Sequence, residues 1–408
     1  MKKIIGIFIV TLFIGASLQA VNSQETEPNF FQVQDDFFDR IIERLMDFGY
    51  FPSVSACIIK GDEIVWSKGY GLSNIENDTS ATDETVYGIC SITKTITGAA
   101  LMQLFDQGLF DLDDDVNDYL PFTLRNPHFP EDPITFRMLL SHSSSLRSPN
   151  SYWNTQFYAD GGPPFQEYPA PWLEECLTPE GSRYDPDYWD AENSPGKSGV
   201  YANINFDIIG YLIELLSNEP FYEYCNEHIF KPLEMYDTSF NLSLYTSEQL
   251  AIPYSWNDGN KIYRKNFNIV HIHYPAGGLF STVKDMSHFM IAHMNGGMYK
   301  DVRILKESTV AEMHTIQSTA GVGRAYGLAW LFESRSLNLG SNNIYLPRNI
   351  YGGHGGAVTY GFRTTMQMKL SEDVAVIFFI NSDSFLYQNG WNGIQLLREL
   401  LFIKANNY

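Results

Sequence analysis

Apolar residues in the N-terminal part of the chain recur with two different periods. From Asp35 to Phe48 they return every three or four positions, the spacing of one helix face. Ser53–Ile59 and Glu63–Gly69 read instead as strands, joined at Gly61-Asp62, a pair suited to a tight hairpin. A helical run follows from Ser91 to Gln107 and stops at Gly108. The middle of the chain mixes predicted helices, near Phe136–Leu140, Phe206–Ser217 and Val283–Met294, with loops rich in Pro, Gly and aromatic residues. Strand character returns at Thr359–Met368 and Val374–Ile380, and a last helix is predicted over Gly393–Ile403. Strands near both ends with helices between them predict an α+β fold, an α/β/α sandwich. Its single antiparallel sheet comes from the N- and C-terminal parts, about 30–107 and 320–408, with an all-helical unit, about 108–319, inserted between them. No repeat of 20–50 residues points to a solenoid or propeller.

The first residues follow a different logic. Lys2 and Lys3 precede an almost unbroken apolar run, Ile4 to Ala16, and small residues follow at Ala20 and Ser23. The run is shorter than the roughly 20 residues a spanning helix needs. Residues 1–23 are therefore expected to be a signal peptide that is removed, making the protein secreted or periplasmic. No cysteine lies near the cut, so a bacterial lipid anchor is not indicated, and no later segment is apolar enough to cross a bilayer. The formal charge is −21, and losing the two leader lysines takes it to −23. Such an excess argues against nucleic acid or an anionic membrane as partner and is read here as solubility.

Two local patterns are weighed and set aside. Asp111, Asp113, Asp115 and Asn117 imitate a calcium loop, but Val116 stands where that loop needs Gly and Phe122 where it needs Glu, which leaves a solvated turn. His271 and His273 alternate as strand ligands could, with His288 nearby, yet no zinc-type spacing accompanies them. Neither a metal nor another cofactor is expected. Cys57, Cys90, Cys176 and Cys225 allow one or two disulfides in an oxidising compartment. Cys176 and Cys225 are the expected pair, and Cys57 and Cys90 sit in apolar runs as buried thiols would. Asn77-Asp78-Thr79 and Asn241-Leu242-Ser243 are glycosylation sequons, meaningful in a eukaryotic host.

Candidate chemistry starts from Ser-x-x-Lys, whose spacing puts both side chains on one helix face. It occurs three times, so context must choose. Ser194/Lys197 is interrupted by Pro195-Gly196, which turns the chain. Ser281/Lys284 looks like a capped helix start, with Asp285 completing the cap and Lys284 facing water. Ser91/Lys94 differs because Lys94 is the only charged side chain between Glu84 and Asp106, on a helix apolar or small all round. A buried lone lysine is costly as a cation, and desolvation turns it into the base a serine hydroxyl needs. The bland alternative is an N-capping serine beside a snorkelling lysine. Tyr201-Ala202-Asn203 leads into the apolar helix from Phe206; Tyr-x-Asn is common, and its bland reading is a packed tyrosine and a helix-capping asparagine. His354-Gly355-Gly356, the only His-x-Gly here, lies in the glycine-rich entry Tyr351–Gly356 to the strand Thr359–Met368, where main-chain N–H groups can hold an oxyanion. Its bland reading is a turn with a surface histidine.

In this order, the three motifs resemble the serine β-lactamase and penicillin-binding-protein superfamily, nearest its class C-like branch of esterases, D-aminopeptidases and β-lactamase-related hydrolases. Ile134–Leu146, Pro275–Met290 and Tyr326–Trp330 are similar to that branch as well, and the likeness runs from about Asp35 to the C-terminus. It implies one hydrolase domain over 30–408. It further implies that Ser91 is the acylated nucleophile, that Lys94 serves as base or keeps a tyrosinate available, and that Tyr201 relays protons. Asn203 would position the substrate and Lys94, and His354 and Gly356 would line the substrate strand. The N–H groups of Ser91 and Ala357 would form the oxyanion hole.

One departure matters. Lactamases and transpeptidases usually carry Lys-Thr-Gly or Lys-Ser-Gly where this chain has His354-Gly355-Gly356, and a histidine is only partly cationic near neutral pH. That favours a small-molecule or peptide ester or amide over penicillin, with weak β-lactamase activity as a side reaction. Tyr152 to Trp189 holds ten aromatics and reads either as a pocket wall for apolar acyl groups or as a self-packed surface loop. The competing function is a catalytically idle relative that binds or assembles. The sequence leaves oligomeric state open.

Overall fold

The computed structural model describes residues 30–153, 157–159, 170–319, 324–339 and 342–408. The expected leader, 1–23, and much of the aromatic-rich segment lie outside the described residues. The five longest helices among the described residues are α1 (Phe30–Gly49), α2 (Thr93–Asp106), α3 (Ile204–Ser217), α4 (Val283–Met294) and α5 (Gln388–Ala405). The main sheet has nine strands: β1 (Ser53–Lys60), β2 (Glu63–Asn74), β3 (Thr79–Ser80), β4 (Ser318–Thr319), β5 (Arg324–Tyr326), β6 (Leu331–Leu339), β7 (Asn342–Val358), β8 (Phe362–Lys369) and β9 (Val374–Ile380). Their order is β4-β5-β6-β7-β8-β9-β1-β2-β3, antiparallel throughout. The expected antiparallel sheet flanked by helices is the one found, and the β1–β9 ladder, from Val54↔Ile380 to Lys60↔Val374, joins the two ends of the chain. The inserted unit is not all-helical, because Tyr254–Asn257 pairs with Ile262–Lys265 and Phe157–Ala159 with Ile269–His271.

The apolar pattern explains the layers. β1 and β9 are buried on both faces, so they read as near-continuous apolar runs rather than alternating ones. Successive side chains still point to opposite faces. Cys57, Ile59, Ile377 and Phe379 join the core beneath α2 and α4. Ala56, Ile58, Val376 and Phe378 join a second core closed by Ile42 and Leu45 of α1 and by Leu397 and Leu401 of α5. Fully burying one such side chain stabilises by about 1.5–3 kcal/mol, which fixes the register of β1 between its neighbours.

Several local expectations need correction. The predicted helix from Ser91 starts later: Cys90–Ile92 is a 3-10 turn, and α2 begins at Thr93. The glycine-rich stretch Tyr351–Gly356 lies inside β7 rather than in a turn before a strand. Its glycines serve close approach, since a Cβ on Gly356 would come within 2.3 Å of the Ile89 carbonyl and the Thr364 hydroxyl. The next strand starts at Phe362 instead of Thr359, after a turn in which Gly361 takes φ +126°. Cys176 and Cys225 do not pair: all four cysteines are free thiols, each turned into the core.

The set-aside motifs have structural roles. Thr282 caps α4 by accepting from Asp285 N–H, and Lys284 pairs with Glu84 at the surface. In the pseudo-calcium turn Asp115 and Asp113 are held by Arg125 and Arg137. Among the described residues no group of three or more His, Cys, Asp or Glu could hold a metal ion, and no helix is long and apolar enough to cross a membrane.

Candidate active site

Ser91 owes its place to a strained approach. The short pairing of Tyr87–Gly88 with Phe280–Ser281 brings the chain to Ile89. Cys90 then adopts φ +52°, a left-handed conformation costing a non-glycine residue roughly 1–2 kcal/mol. Its carbonyl accepts from the Thr93 hydroxyl at 2.6 Å, and Thr93 Oγ1 in turn accepts the Leu279 N–H at 3.2 Å. The turn thus delivers Ser91 to the head of α2.

Lys94 stands one turn on. Every residue from Thr93 to Leu104 is buried, and Lys94 itself is 0% exposed. Its Nζ lies 3.3 Å from Ser91 Oγ and donates to the Ala276 carbonyl. It sits 5.1 Å above the Tyr201 ring and 5.6 Å above that of Phe206. Burial pushes its pKa down from 10.5 to about 7, although the charge of Asp207 acts in the opposite direction.

Tyr201 precedes α3 and shares a hydrogen bond with Ser91. The residue is 38% exposed, but desolvation around the hydroxyl raises its pKa well above 10, and the Ser91 bond offsets only part of that rise. Tyr201 therefore stays protonated where Lys94 is already losing its proton. Asn203 is the N-cap residue of α3, yet its side chain makes no capping bond; its N–H donates to Ser148 Oγ at 2.8 Å. The hydrogen bonds of Lys94 go to Ser91 and Ala276, so the expected hold of Asn203 on Lys94 is absent and the Ala276 carbonyl takes its place.

The third motif closes the site from β7. His354 is 5% exposed, its ring centre is 6.1 Å from that of Tyr201, and its Nδ1–H donates to the Gly355 carbonyl at 2.8 Å. Burial, then the neighbouring Lys94 charge, lowers its pKa to about 3, so it is neutral at physiological pH. Gly356 is pressed against Ile89 and Cys90, and the Thr364 hydroxyl of β8 bonds the Ile89 carbonyl at 2.8 Å. This contact brings exposed Ala357 beside the Ser91 turn. Ser91, Lys94, Tyr201, His354, Gly356 and Ala357 thus converge, with Asn203 at the rim.

Three contributors are not apparent from residue types. The Ala276 carbonyl is a backbone atom, His142 packs behind Tyr201 at 4.5 Å, and Asp207 lies fully buried on α3. The stretches Ile134–Leu146 and Pro275–Met290 carry the signal for two of them without showing which atoms act. Of the three histidines weighed as zinc ligands, His273 is engaged by Asp207 Oδ2 at 2.8 Å, and His288 donates to the Leu233 carbonyl at 2.9 Å.

A serine at a strained turn, a desolvated lysine and a protonated tyrosine under an antiparallel sheet are the parts an acyl-transfer site requires. The chain belongs to the beta-lactamase family of serine hydrolases, whose family model matches residues 38–396. It is 27% identical over 334 residues to protein flp of Staphylococcus aureus (strain MW2), covering 77% of this chain and 61% of that protein. The chain therefore spans about three fifths of the length of the flp proteins. A putative D-alanyl-D-alanine carboxypeptidase of Escherichia coli (strain K12) is 28% identical over 323 residues, covering 72% of this chain and 70% of that one. Two solved structures share the fold. The octameric penicillin-binding protein homologue of Pyrococcus abyssi has TM-score 0.68 and 23% identity, covering 90% of this chain and 77% of its own. The D-amino acid amidase of Ochrobactrum anthropi SV3, complexed with L-phenylalanine amide, has TM-score 0.68 and 21% identity, covering 91% and 100%.

Proposed function

We propose that the protein is an exported hydrolase that cleaves an ester or amide, of the esterase or D-amino-acid peptidase kind, through an acyl-enzyme on Ser91. The observation that supports this reading best is Lys94, fully buried, 3.3 Å from Ser91 Oγ and with its pKa lowered to about 7. An amine that is about half neutral at pH 7 can, at that distance, take the hydroxyl proton as Oγ bonds to the substrate carbonyl carbon. The oxygen that gains the negative charge would face the N–H groups of Ser91 and Ala357. Tyr201, still protonated, would donate to the leaving alkoxide or amine as its bond to carbon breaks. Lys94 then returns a proton to Tyr201. Water attacks the acyl-enzyme by the same route in reverse and frees Ser91.

Neutral His354 favours substrates without a carboxylate beside the scissile bond, because it supplies no cation where a lactamase has lysine. The amidase of Ochrobactrum anthropi, bound to an amino acid amide, is consistent with that class. Export rests on the apolar run Ile4–Ala16 and the basic pair before it.

The test is covalent labelling by a fluorophosphonate, with turnover of p-nitrophenyl butyrate, D-phenylalanine amide and benzylpenicillin, for the wild type and Ser91→Ala. Labelling and turnover lost in Ser91→Ala, with ester or amide preferred to penicillin, support the reading. Equal labelling of the variant rejects Ser91, and an inert wild type favours a binding module. N-terminal sequencing of the mature protein from its host tests export.

A further inference from the structure

Tyr201 has no helix of its own to hold it: it lies in the irregular segment just before α3, with 38% of its surface exposed. Something else must fix its hydroxyl against Ser91. Both chain neighbours of Tyr201 are bonded to one residue. Val200 N–H donates to the His142 carbonyl at 2.8 Å, and Ala202 N–H donates to His142 Nδ1 at 3.1 Å. Between these two bonds the His142 ring packs against the Tyr201 ring, centroids 4.5 Å apart and 35° inclined. On its other sides it meets Tyr326 at 4.9 Å and Phe206 at 5.3 Å.

We infer that His142 is the positioning residue for Tyr201, a clamp that grips the backbone on either side of the tyrosine and stacks on its ring. The inference rests on the proposed role of Tyr201.

Three features separate a clamp from ordinary packing. His142 takes φ +55°, a left-handed conformation unfavourable for a histidine, and that conformation presents carbonyl and ring to the same strand of chain. The ring must be an acceptor at Nδ1, which puts its proton on Nε2. Burial holds the imidazole neutral, so the lone pair toward Ala202 is kept. Finally, the clamp is itself braced. Asn205 Nδ2 reaches His142 Nδ1 at 3.4 Å, and Asn205 Oδ1 accepts from the Ser144 hydroxyl at 2.7 Å.

The closing experiment compares wild type, Ser91→Ala, His142→Ala and His142→Asn on p-nitrophenyl butyrate. Asparagine tolerates a left-handed backbone and carries an acceptor at the place of Nδ1, so it restores the Ala202 bond. A displaced proton donor should lower kcat of His142→Ala roughly 10- to 100-fold with KM within about twofold, and His142→Asn should recover to within about threefold of wild type. Thermal midpoints are read beside the rates. If His142→Ala does not fold, His142→Gln replaces it, since its amide sits one carbon too far out and should behave as alanine does. If Ser91→Ala keeps its activity, the underlying reading falls and the clamp with it. If Ser91→Ala is inactive while His142→Ala keeps kcat within twofold, only the clamp falls. The clamp also falls if the asparagine variant loses as much kcat as the alanine variant, because the acceptor would then be irrelevant.

Discussion

Replacing Asp207 by asparagine should move the acid limb of the activity profile toward lower pH. The reasoning starts from Lys94, whose pKa falls from 10.5 to about 7 because burial removes it from water. That lowering corresponds to roughly 5 kcal/mol against the cation. A base must be neutral to act, so kcat/KM should rise through pH 7 to a plateau. At pH 5 about one lysine in a hundred is neutral, and activity should be roughly 100-fold lower. The other groups facing Lys94 titrate elsewhere. His354 is held at about 3 and His142 well below 6.5 by burial, while the Cys90 thiol is pushed up to about 12 and Tyr201 also lies high. Asp207, fully buried on α3, is the foremost charge favouring the lysine cation. Its neutralisation should lower the limb by roughly one pH unit, the worth of one partly screened opposite charge. Initial rates on p-nitrophenyl butyrate from pH 4.5 to 9.5, with circular dichroism to confirm folding, measure it. A flat wild-type profile, or a limb that moves upward in Asp207→Asn, would refute the assignment of Lys94 as base.

Lys94→Met should abolish turnover yet stabilise the fold. Because the folded lysine has the lowered pKa, the unfolded chain binds the extra proton between about pH 7 and 10.4, and wild-type stability rises with pH across that window. Urea denaturation at pH 7 and 9.5 should show a gain of about 3 kcal/mol in the wild type that the methionine variant lacks. Gly356→Ala should lower kcat/KM more than about 100-fold and also lower the thermal midpoint, since its Cβ would strike the Ile89 carbonyl and the Thr364 hydroxyl at 2.3 Å. A thiol reagent should find four free thiols in denaturant and none in the native protein, as all four cysteines are buried; a count of two in denaturant would mean a disulfide after all.

Legibility varied with how local the cause was. The sheet layout was readable because β9 is a continuous apolar run and β1 is apolar from Ala56 to Ile59, the mark of strands covered on both faces. Lys94 was readable for the same reason, as one charge in an otherwise apolar helix. The glycines of β7 misled because glycine signals a turn and a close approach alike, and only the presence of Ile89 opposite Gly356 decides between them. Cys176 and Cys225 misled because the polar residues beside each face water while the thiols turn inward. His142 and Ala276 stayed hidden for a deeper reason. Ala276 contributes a carbonyl oxygen, available to almost any residue, and the His142 ring finds its two partners, the Ala202 N–H and the Tyr201 ring, about 60 positions away; both gain meaning only when distant segments meet.

The bond from Thr364 to the Ile89 carbonyl spans 275 residues of sequence, and that span orders events in time. A ribosome adding about 5–20 residues per second needs some tens of seconds between the two. Through most of that interval the Ser91 segment is without β7, so it lacks Gly356 to press on it and Ala357, the proposed second oxyanion donor. The growing chain thus carries its proposed nucleophile unarmed. On the proposed mechanism, hydrolytic competence arrives late, when β9 zips onto β1 and brings β8 and β7 with it, so that the step joining the two ends of the sheet also completes the site.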